Sequence, residues 1–415
     1  MRTYIPSGNA KIPFDIDASR VVTSKISMLP SVPSGRKAVE NALRNPIGSP
    51  RLCELAKDAK TCVILISDHT RPVPSRDILP PMLAELRTGN PSIKITLLVA
   101  TGCHRATTKE ELHAKLGDEI FDRETIVVHD CDDTANLTNI GILPSGAPLI
   151  VNSLAVNCDL LVSEGFIEPH FFAGFSGGRK SVLPGICDRK TVLGNHCGAF
   201  IASPFARTGV LQNNPIHRDM EAAAELAHLR FIVNVVIDEN KRTAAAFAGD
   251  FRAAHAAGVS FLRKFCEVPA VKGDIVITSN GGAPLDQNLY QCVKGLTAAE
   301  ACAKENATLI LCADMADGAG GDNFYRQLKD CDSPAALFTQ FCETPQSETQ
   351  PDQWQSQILC RILMRHRVIF VTRPEMRKTI REMKMEYAET LEKALEMAGS
   401  GEITVIPDGV SVMIK

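Results

Sequence analysis

The chain has 415 residues, of which 45% are hydrophobic and 22% charged, and its formal net charge at pH 7 is -3. This length exceeds one ordinary hydrophobic core and predicts two domains of a soluble globular protein. The charge, without a dense run of lysine or arginine, argues against a nucleic-acid-binding surface. We expect neither a signal peptide nor a membrane span, and the fourteen cysteines, none in a CxxC pair, favour reduced thiols in a cytoplasm.

Short apolar runs alternate along the chain with longer amphipathic segments. The predicted strands are 62–66, 93–100, 125–129, 160–163, 231–237, 274–279, 308–312, 367–372 and 403–406. The predicted helices are 77–87, 108–116, 215–229, 250–265, 284–305 and 377–397. Since several of the strands are continuously apolar and β-branched, this alternation predicts an α/β fold whose mostly parallel sheets are flanked by helices.

An interruption at 267–273, Glu-Val-Pro-Ala-Val-Lys-Gly, marks the expected domain boundary. It predicts an N-terminal α/β domain over 1–268 and a smaller C-terminal α/β domain over 269–415. Small-molecule sites commonly lie between two such domains, and in open α/β sheets ligands bind beyond the carboxyl ends of the strands. We therefore expect the active site in the interdomain cleft, built from polar clusters that follow strands.

Two such clusters follow the first two predicted strands. In Ser-Asp-His-Thr-Arg-Pro-Val-Pro at 67–74, Arg71 could clamp a carboxylate or phosphate with Asp68 orienting it, or the pair could be a capping aspartate and a surface arginine. In the second cluster, at 100–105, His104 precedes a helix that begins with the capping box Thr108-x-x-Glu111. A helix N-terminus favours the neutral imidazole, so His104 is interpreted either as a base or as a structural histidine.

The third cluster, 168–187, reads Glu-Pro-His-Phe-Phe-Ala-Gly-Phe-Ser-Gly-Gly-Arg-Lys-Ser-Val-Leu-Pro-Gly-Ile-Cys. It is not a P-loop, because Arg179 stands where that motif needs a glycine before the lysine. Gly177 and Gly178 could still form an anion-binding concavity of backbone N–H groups. His196 follows a short predicted helix, and a structural role and a ligand role for it remain equal alternatives.

The fourth cluster, 281–295, begins with a glycine pair after a strand, and Pro284 is expected to open a helix. Gln287, Gln291 and Lys294 would then share one helix face, either solvated or turned into the cleft. The residues alone indicate a two-domain α/β enzyme with clustered histidines and an anion-binding lysine or arginine. A bound metal stays an open alternative.

Together, five motifs resemble the nickel-pincer nucleotide-dependent lactate racemase family, in the same order and over most of the chain. They are Asp68-x-Thr70-Arg71-Pro72, Gly102-x-His104-Arg105, Glu168-Pro-His170 through Gly178-Arg179-Lys180, His196, and Pro284-Leu-Asp-x-Asn-x-Tyr-Gln-x-Val-Lys294-Gly295. Any one of these motifs is weak evidence, whereas five in register are specific.

The resemblance implies a cofactor, the mononucleotide of pyridinium-3,5-bisthiocarboxylic acid, which holds nickel through sulfur, carbon and sulfur. Lys180 matches the lysine joined to that nickel-pincer nucleotide through a thioamide, and His196 matches the protein ligand to nickel. His104 and His170 match the two catalytic bases. Arg71, Gln291 and Lys294 match residues that contact the substrate or line the active site, and Asp68 lies in the same motif as Arg71. We expect Asp68, Ser176, Gly177 and Gly178 at the cofactor, and Tyr290 and Trp354 as candidates for shaping the substrate pocket.

The implied reaction is racemisation or epimerisation of a 2-hydroxy carboxylic acid, lactate or a related acid, by reversible hydride transfer. The α-proton of such an acid is poorly acidic, so hydride removal is easier where an acceptor exists and a histidine takes the hydroxyl proton. Cofactor-synthesis enzymes are the implied maturation partners. Two alternatives stay open: a zinc-dependent hydrolase or phosphate-binding transferase, and a non-catalytic nucleotide or organic-acid binding protein.

Overall fold

The structure, a computed structural model, describes all 415 residues, and none of its helices has both the length and the apolar character that a membrane crossing requires. Its strands are β1 Arg2–Ser7, β2 Ala10–Asp15, β3 Thr61–Ser67, β4 Lys94–Ala100, β5 Thr125–Val128, β6 Leu137–Ile142, β7 Pro148–Asn152, β8 Leu160–Phe166, β9 Pro169–His170, β10 Gly174–Phe175, β11 Leu229–Ile237, β12 Thr243–Gly249, β13 Glu267–Val268, β14 Gly273–Ser279, β15 Ala303–Cys312, β16 Arg367–Val371, β17 Glu386–Ala388, β18 Ile403–Ile406 and β19 Met413–Ile414. Its α-helices are α1 Gly35–Arg44, α2 Leu52–Leu55, α3 Ser75–Gly89, α4 Lys109–Leu116, α5 Asp118–Arg123, α6 Ser153–Val156, α7 Arg189–Asn195, α8 Gly198–Ala202, α9 Pro215–Leu226, α10 Ala253–Cys266, α11 Leu289–Cys302, α12 Asp322–Asp330, α13 Pro334–Glu343, α14 Gln353–Leu363, α15 Arg377–Glu382 and α16 Leu391–Ala398.

The chain folds as two compact units, each assembled from separate stretches of sequence. The first unit comprises Ile26–Asn195 and Val210–Phe265, and the second comprises Met1–Lys25, His196–Gly209 and Cys266–Lys415. The last change of unit, at Cys266, lies close to the boundary expected after residue 268. Two earlier stretches, Met1–Lys25 and His196–Gly209, belong to the same unit as the C-terminal part of the chain.

The first unit is built on a six-stranded sheet in the order β12-β11-β8-β3-β4-β5. All neighbours are parallel except β12, which runs antiparallel to β11. The central strand β3 buries every residue from 62 to 66, as a strand covered on both faces must. Because parallel strands end at one edge of a sheet, the loops after β3, β4, β5 and β8 lie at the same edge.

The second unit contains a five-stranded parallel sheet in the order β17-β16-β15-β14-β18. Its buried core joins Ile275, Ile310, Ile369 and Val405 to Ile5 of the N-terminal hairpin β1–β2. Together the two sheets confirm the predicted α/β class with mostly parallel strands flanked by helices.

The helix predicted over 284–305 is shorter in the structure. The helix α11 begins at Leu289, because the Asn288 side chain caps it by accepting a hydrogen bond from the Gln291 N–H at 3.0 Å. Pro284 instead lies in a turn after Gly282, whose φ of +82° suits glycine. The expectation that Pro284 opens the helix is therefore wrong, and Gln287 lies outside the helix that carries Gln291.

The continuous helix predicted over 377–397 is also wrong, because α15, β17 and α16 occupy that stretch. Between the end of α15 at Glu382 and the start of β17 at Glu386 the chain makes a turn, in which Met383 and Met385 are buried and Lys384 is exposed. The φ of +66° at Lys384 is incompatible with a continuing helix. The new strand pairs with β16, with Glu386 opposite Ile369.

The segment that follows His196 is packed closely within the second unit. The Gln357 side-chain amide donates a hydrogen bond to the Gly198 carbonyl at 2.8 Å. A Cβ atom on Gly198 would lie 1.9 Å from the carbonyl oxygen of Phe341 in α13. Since Gly198 opens the helix α8 two residues after His196, this contact constrains the backbone next to that histidine.

We expect Gly198→Ala to destabilise the second unit by about 1–3 kcal/mol, the usual cost of overpacking, because the methyl group must displace α8. Trp354, the single tryptophan, lies in this unit, so its fluorescence during urea unfolding reports the change. Ala199→Ser, at the exposed neighbouring position, is the matched control and should shift stability by less than about 0.5 kcal/mol. Equal unfolding midpoints for the two variants would contradict the packing argument.

Candidate active site

A buried carboxylate links the loops that follow β3 and β4. Asp68 is 2% exposed, and its Oδ2 lies 2.7 Å from Nδ1 of His104. Its Oδ1 accepts hydrogen bonds from the Thr70 N–H at 3.1 Å and from the Thr70 hydroxyl at 2.7 Å. The Arg71 guanidinium donates to the Thr70 hydroxyl oxygen at 3.0 Å. Asp68 is thus linked to Arg71 through the Thr70 hydroxyl, and its direct partner on the next loop is His104.

The charge of this carboxylate decides how the histidine is held. Burial acts to raise the pKa of Asp68, but the hydrogen bond and charge of His104, with the Thr70 hydroxyl, lower that pKa from 3.8 to about 2. The contact therefore stabilises the fold above about pH 4, and this stability is lost as the pH falls towards the folded-state value. At neutral pH the charged carboxylate accepts the Nδ1–H of His104, which leaves Nε2 of the half-exposed ring to exchange protons with a ligand.

Two further ionisable residues, Lys115 and Glu164, lie near the pair formed by Asp68 and His104. Sequence reasoning did not single them out. Lys115 of α4 donates a hydrogen bond from Nζ to the Arg71 carbonyl at 3.2 Å. Glu164 of β8 is buried and accepts a hydrogen bond from the Ser75 hydroxyl at 2.7 Å. Burial raises the pKa of Glu164 and lowers that of Lys115, while the attraction between the two opposes both shifts. Lys115 thereby ties α4 to the loop that carries Arg71.

His170 and Lys180 lie against one aromatic side chain. The His170 ring is edge-on to Phe172 at a centroid distance of 4.5 Å, and Lys180 Nζ lies 5.9 Å from the centroid of the same ring. The Ala173 N–H donates a hydrogen bond to Nδ1 of His170 at 3.2 Å. In the neutral ring this places the proton on Nε2, the opposite tautomer to that of His104. The structure thus brings the predicted His170 and Lys180 together.

The loop between these two residues is held by Arg179, which is buried and was only noted as breaking the P-loop pattern. Its guanidinium donates to the carbonyls of Phe175 at 2.8 Å, Ala173 at 2.9 Å and Gly177 at 3.1 Å, and its Nε donates to His217 at 3.0 Å. Burial lowers the pKa of Arg179 to about 9, so the side chain stays protonated at neutral pH. Arg179 thus fixes the turn that precedes Lys180.

The glycine pair serves the packing of this turn. Gly177 and Gly178 have φ values of +81° and +54°, and a Cβ atom on Gly178 would lie 3.0 Å from the ring of His255. The Gly178 N–H donates to the buried Asn234 side chain at 2.7 Å, and the Ser176 N–H donates to the Glu168 carbonyl at 2.9 Å. The Gly178 N–H, one of the two expected to bind an anion, is therefore already paired with a protein acceptor.

In the second unit, His196 directly follows α7, as predicted, and is only 5% exposed. Its ring lies 5.0 Å from that of Trp354, and the Trp354 indole N–H donates to the Tyr290 hydroxyl at 3.1 Å. Tyr290 belongs to α11, which also carries Gln291 and Lys294. His196, Trp354 and Tyr290, three of the predicted site residues, thus contact one another in series. Gln291 and Lys294, two more of them, lie on the same helix as Tyr290.

Other histidines have structural contacts that account for them. His129 lies 3.0 Å from the Cys187 carbonyl and 3.2 Å from the Asn152 side-chain nitrogen, and burial lowers its pKa. His217 and His255 both lie against Arg179, and burial together with its charge lowers their pKa values to about 3. Neutral imidazoles in these positions agree with the structural role predicted for them.

Comparison with known proteins identifies family models and relatives that match most of this chain. Residues 7–209 match the family model described as the lactate racemase N-terminal domain, and residues 268–414 match that of the lactate racemase C-terminal domain. The chain is 50% identical over 419 residues to a lactate racemase of Thermoanaerobacterium thermosaccharolyticum, covering 99% of this chain and 98% of the relative. It is 52% identical over 387 residues to a lactate racemase of Lactiplantibacillus plantarum, covering 92% and 91%.

The fold matches solved structures as well. The lactate racemase apoprotein from Thermoanaerobacterium thermosaccharolyticum superimposes with a TM-score of 0.96 at 49% identity, covering 100% of both chains. A crystal structure of a Thermotoga maritima protein shares the fold with a TM-score of 0.67 at 17% identity, covering 92% of this chain and 98% of that one. With both domain models matched in order along its length, the chain belongs to the lactate racemase family.

Proposed function

We propose that this protein is an isomerase that interconverts the enantiomers of lactate or of a closely related 2-hydroxy carboxylic acid. The observation that carries the proposal is the opposite engagement of two imidazoles. His104 donates its Nδ1–H to Asp68, so its Nε2 can accept a proton, whereas His170 accepts at Nδ1 and can donate from Nε2. Racemisation needs one group that takes the hydroxyl proton and another that returns one. The neutral ring of His104 can take the proton at Nε2, and we assign the return of a proton to the imidazolium form of His170.

The residues present fit the nickel-pincer nucleotide expected from the sequence. Lys180 offers a primary amine, the group that a thioamide link requires, on a turn fixed by Arg179. His196 offers a buried imidazole whose ring is oriented by Trp354, and imidazole suits nickel. We propose Lys180 as the covalent anchor and His196 as the nickel ligand, with Asp68, Ser176, Gly177 and Gly178 shaping the cofactor's surroundings. When bound, this group supplies an acceptor for hydride.

The side chains then manage protons and orientation. His104 takes the hydroxyl proton of one enantiomer at Nε2, and the Asp68 carboxylate stabilises the positive ring that results. His170 would act on the opposite enantiomer. It would return a proton to the oxygen of the keto acid, after that acid has turned over, from its imidazolium form. That form carries protons on both ring nitrogens, so His170 gives up the hydrogen bond from the Ala173 N–H when it forms and becomes neutral again when it donates. The Phe172 ring packed on His170 limits the tilt of the imidazole.

A carboxylate must be held throughout such a cycle, and we assign that role to Arg71 and Lys294. Arg71 is positioned through its own carbonyl by Lys115 and through its guanidinium by Thr70. Lys294 shares α11 with Gln291 and with Tyr290, whose hydroxyl accepts the Trp354 indole N–H. A pair of cations suits an acid substrate better than a neutral one.

Family membership favours this function over the two alternatives. A zinc hydrolase needs several metal ligands converging on one ion, and the three-residue cluster with that geometry, Asp130, Cys131 and Asp132, includes none of the proposed site residues. A pure binding protein does not need two bases. The fourteen free cysteines support a reducing, cytoplasmic location, and cofactor-synthesis enzymes are the partners that maturation would require.

The function is tested by replacing each base. His104→Ala and His170→Ala should each lower the racemisation rate of lactate about a hundredfold or more in both directions, the usual scale of general acid–base catalysis. Chiral chromatography of the product from each pure enantiomer measures the rates. His129→Ala is not suitable as a control because that ring is buried, whereas His113→Ala removes an exposed ring and should leave the rates unchanged. A His170 variant with full activity would make that residue structural.

Asp68→Asn should lower kcat at least about tenfold with little change in KM, because the amide cannot stabilise the protonated His104 ring as a carboxylate does. The pH profile of kcat should shift as well, which a loss of packing alone would not produce. Thr70→Val, which removes a neighbouring hydrogen bond but keeps the carboxylate, is the matched comparison and should be milder. Equal effects of the two variants would assign Asp68 a purely structural role.

Lys180→Ala should abolish covalent attachment of the cofactor in protein matured together with cofactor-synthesis enzymes, because no other amine replaces the anchor. Intact-protein mass spectrometry measures the adduct directly. Lys190→Ala, on the helix α7 that follows, removes an exposed amine and should retain the full adduct. An adduct that persists in the Lys180 variant would overturn the assignment.

A further inference from the structure

The helix α14 begins with polar side chains that are completely buried. Gln353, Gln355, Ser356 and Gln357 each have 0% of their surface exposed. Glutamine and serine lie mostly at protein surfaces, because a buried amide or hydroxyl must find hydrogen-bond partners to offset the loss of water. The partners of these side chains therefore show which segments the helix supports.

Two of the glutamines support segments that carry proposed site residues. The Gln357 side-chain amide donates a hydrogen bond at 2.8 Å to the carbonyl of Gly198, which lies two residues after His196. The Gln355 side-chain amide donates a hydrogen bond to the carbonyl of Tyr290, near the start of α11. One helix thus holds both the segment of the proposed nickel ligand and the helix assigned to the substrate.

Trp354 of the same helix contacts both segments a second time. Its ring centroid lies 5.0 Å from that of His196, and its indole N–H donates to the Tyr290 hydroxyl at 3.1 Å. A single contact fixes only a distance, whereas a backbone contact combined with a side-chain contact also restricts rotation. Each segment is therefore held by α14 at two points, one on its backbone and one on a side chain.

Stability alone does not account for glutamine at these two positions. The side-chain carbonyl oxygens of Gln355 and Gln357 are buried without a hydrogen-bond partner. A buried amide retained for stability is expected to have both of its ends paired, because an unpaired polar atom costs free energy. The donor end of each amide, which is the end that holds a backbone carbonyl, is therefore the part that explains the residue.

We propose that Gln357 and Gln355 are positioning residues, Gln357 for the imidazole of His196 and Gln355 for the start of α11. The proposal rests on the proposed function for the roles of His196 and of α11. Each amide acts through a backbone carbonyl rather than on the reacting atoms. A misplacement of about 1 Å can cost on the order of a hundredfold in rate, so the loss of either amide is felt at the site. The two losses differ, because one displaces a metal ligand and the other displaces the helix that holds the substrate.

The test replaces each glutamine by methionine, which has a side chain of similar length and no N–H donor. Each variant is matured together with cofactor-synthesis enzymes, and intact-protein mass spectrometry measures the covalent adduct. Gln357→Met should keep the adduct and lose nickel to EDTA about tenfold faster than the unmodified chain, the scale expected when the orientation of a metal ligand is disturbed. Elemental mass spectrometry measures the nickel that each variant retains over time. Gln355→Met should lose nickel at the rate of the unmodified chain and raise KM for lactate about tenfold with little change in kcat.

Ser356→Ala is the matched control, because Ser356 is equally buried between the two glutamines and donates to the Gln327 side chain of α12 at 2.6 Å. It should change neither nickel release nor KM, and the corresponding leucine variants repeat the measurement where a methionine variant does not fold. Equal nickel release and equal KM in all variants, or the same changes in Ser356→Ala, would overturn the positioning roles. An unmodified chain that takes up the adduct but holds no nickel and racemises no 2-hydroxy acid would instead refute the proposed function, and the positioning roles with it.

Discussion

The buried charge of Asp68 is the constraint on which the arrangement of the loops after β3 and β4 depends. A carboxylate that is almost fully removed from water needs hydrogen-bond donors, and it finds them on two different loops, Thr70 on its own and His104 on the next. These loops can meet because β3 and β4 are parallel neighbours in full register. The sheet therefore brings the His104 imidazole close to Asp68, and the hydrogen bond to the carboxylate fixes the orientation and the tautomer of the ring.

Arg179 is a second buried charge, and it supports an irregular loop inside the protein. The stretch from His170 to Lys180 has little regular structure, so its carbonyl oxygens have few partners in a helix or sheet. Arg179 supplies several donors from one planar group and satisfies three of these carbonyls together. Burying a guanidinium is costly, and the hydrogen bonds offset that cost while they fix the turn that presents the proposed anchor.

Much of this architecture could be predicted from the sequence because it is written in local patterns. The continuous apolar runs gave the parallel strands, the capping box Thr108–Glu111 gave the start of α4, and the order of the motifs led to the family. Partners far apart in the chain left no such pattern. Lys115 is one lysine on an amphipathic helix, and neither its bond to Arg71 nor the contact between His104 and Asp68 follows from spacing. The prediction of one helix over 377–397 failed because the pairing of β17 with the distant strand β16 overrode a helical composition.

The discontinuity of the second unit has a consequence for the order in which the protein can be made. The hairpin β1–β2 is synthesised long before the strands that Ile5 packs against, the first of which begins at Gly273. His196 likewise waits in a segment whose packing partners, Phe341 and Gln357, are synthesised much later. The first unit can close once Phe265 has emerged, but the residue proposed to ligate nickel is not fixed until most of the chain exists. An incomplete chain would thus carry the proposed lysine anchor without a fixed partner for the metal, so loading of the proposed cofactor would require the finished polypeptide.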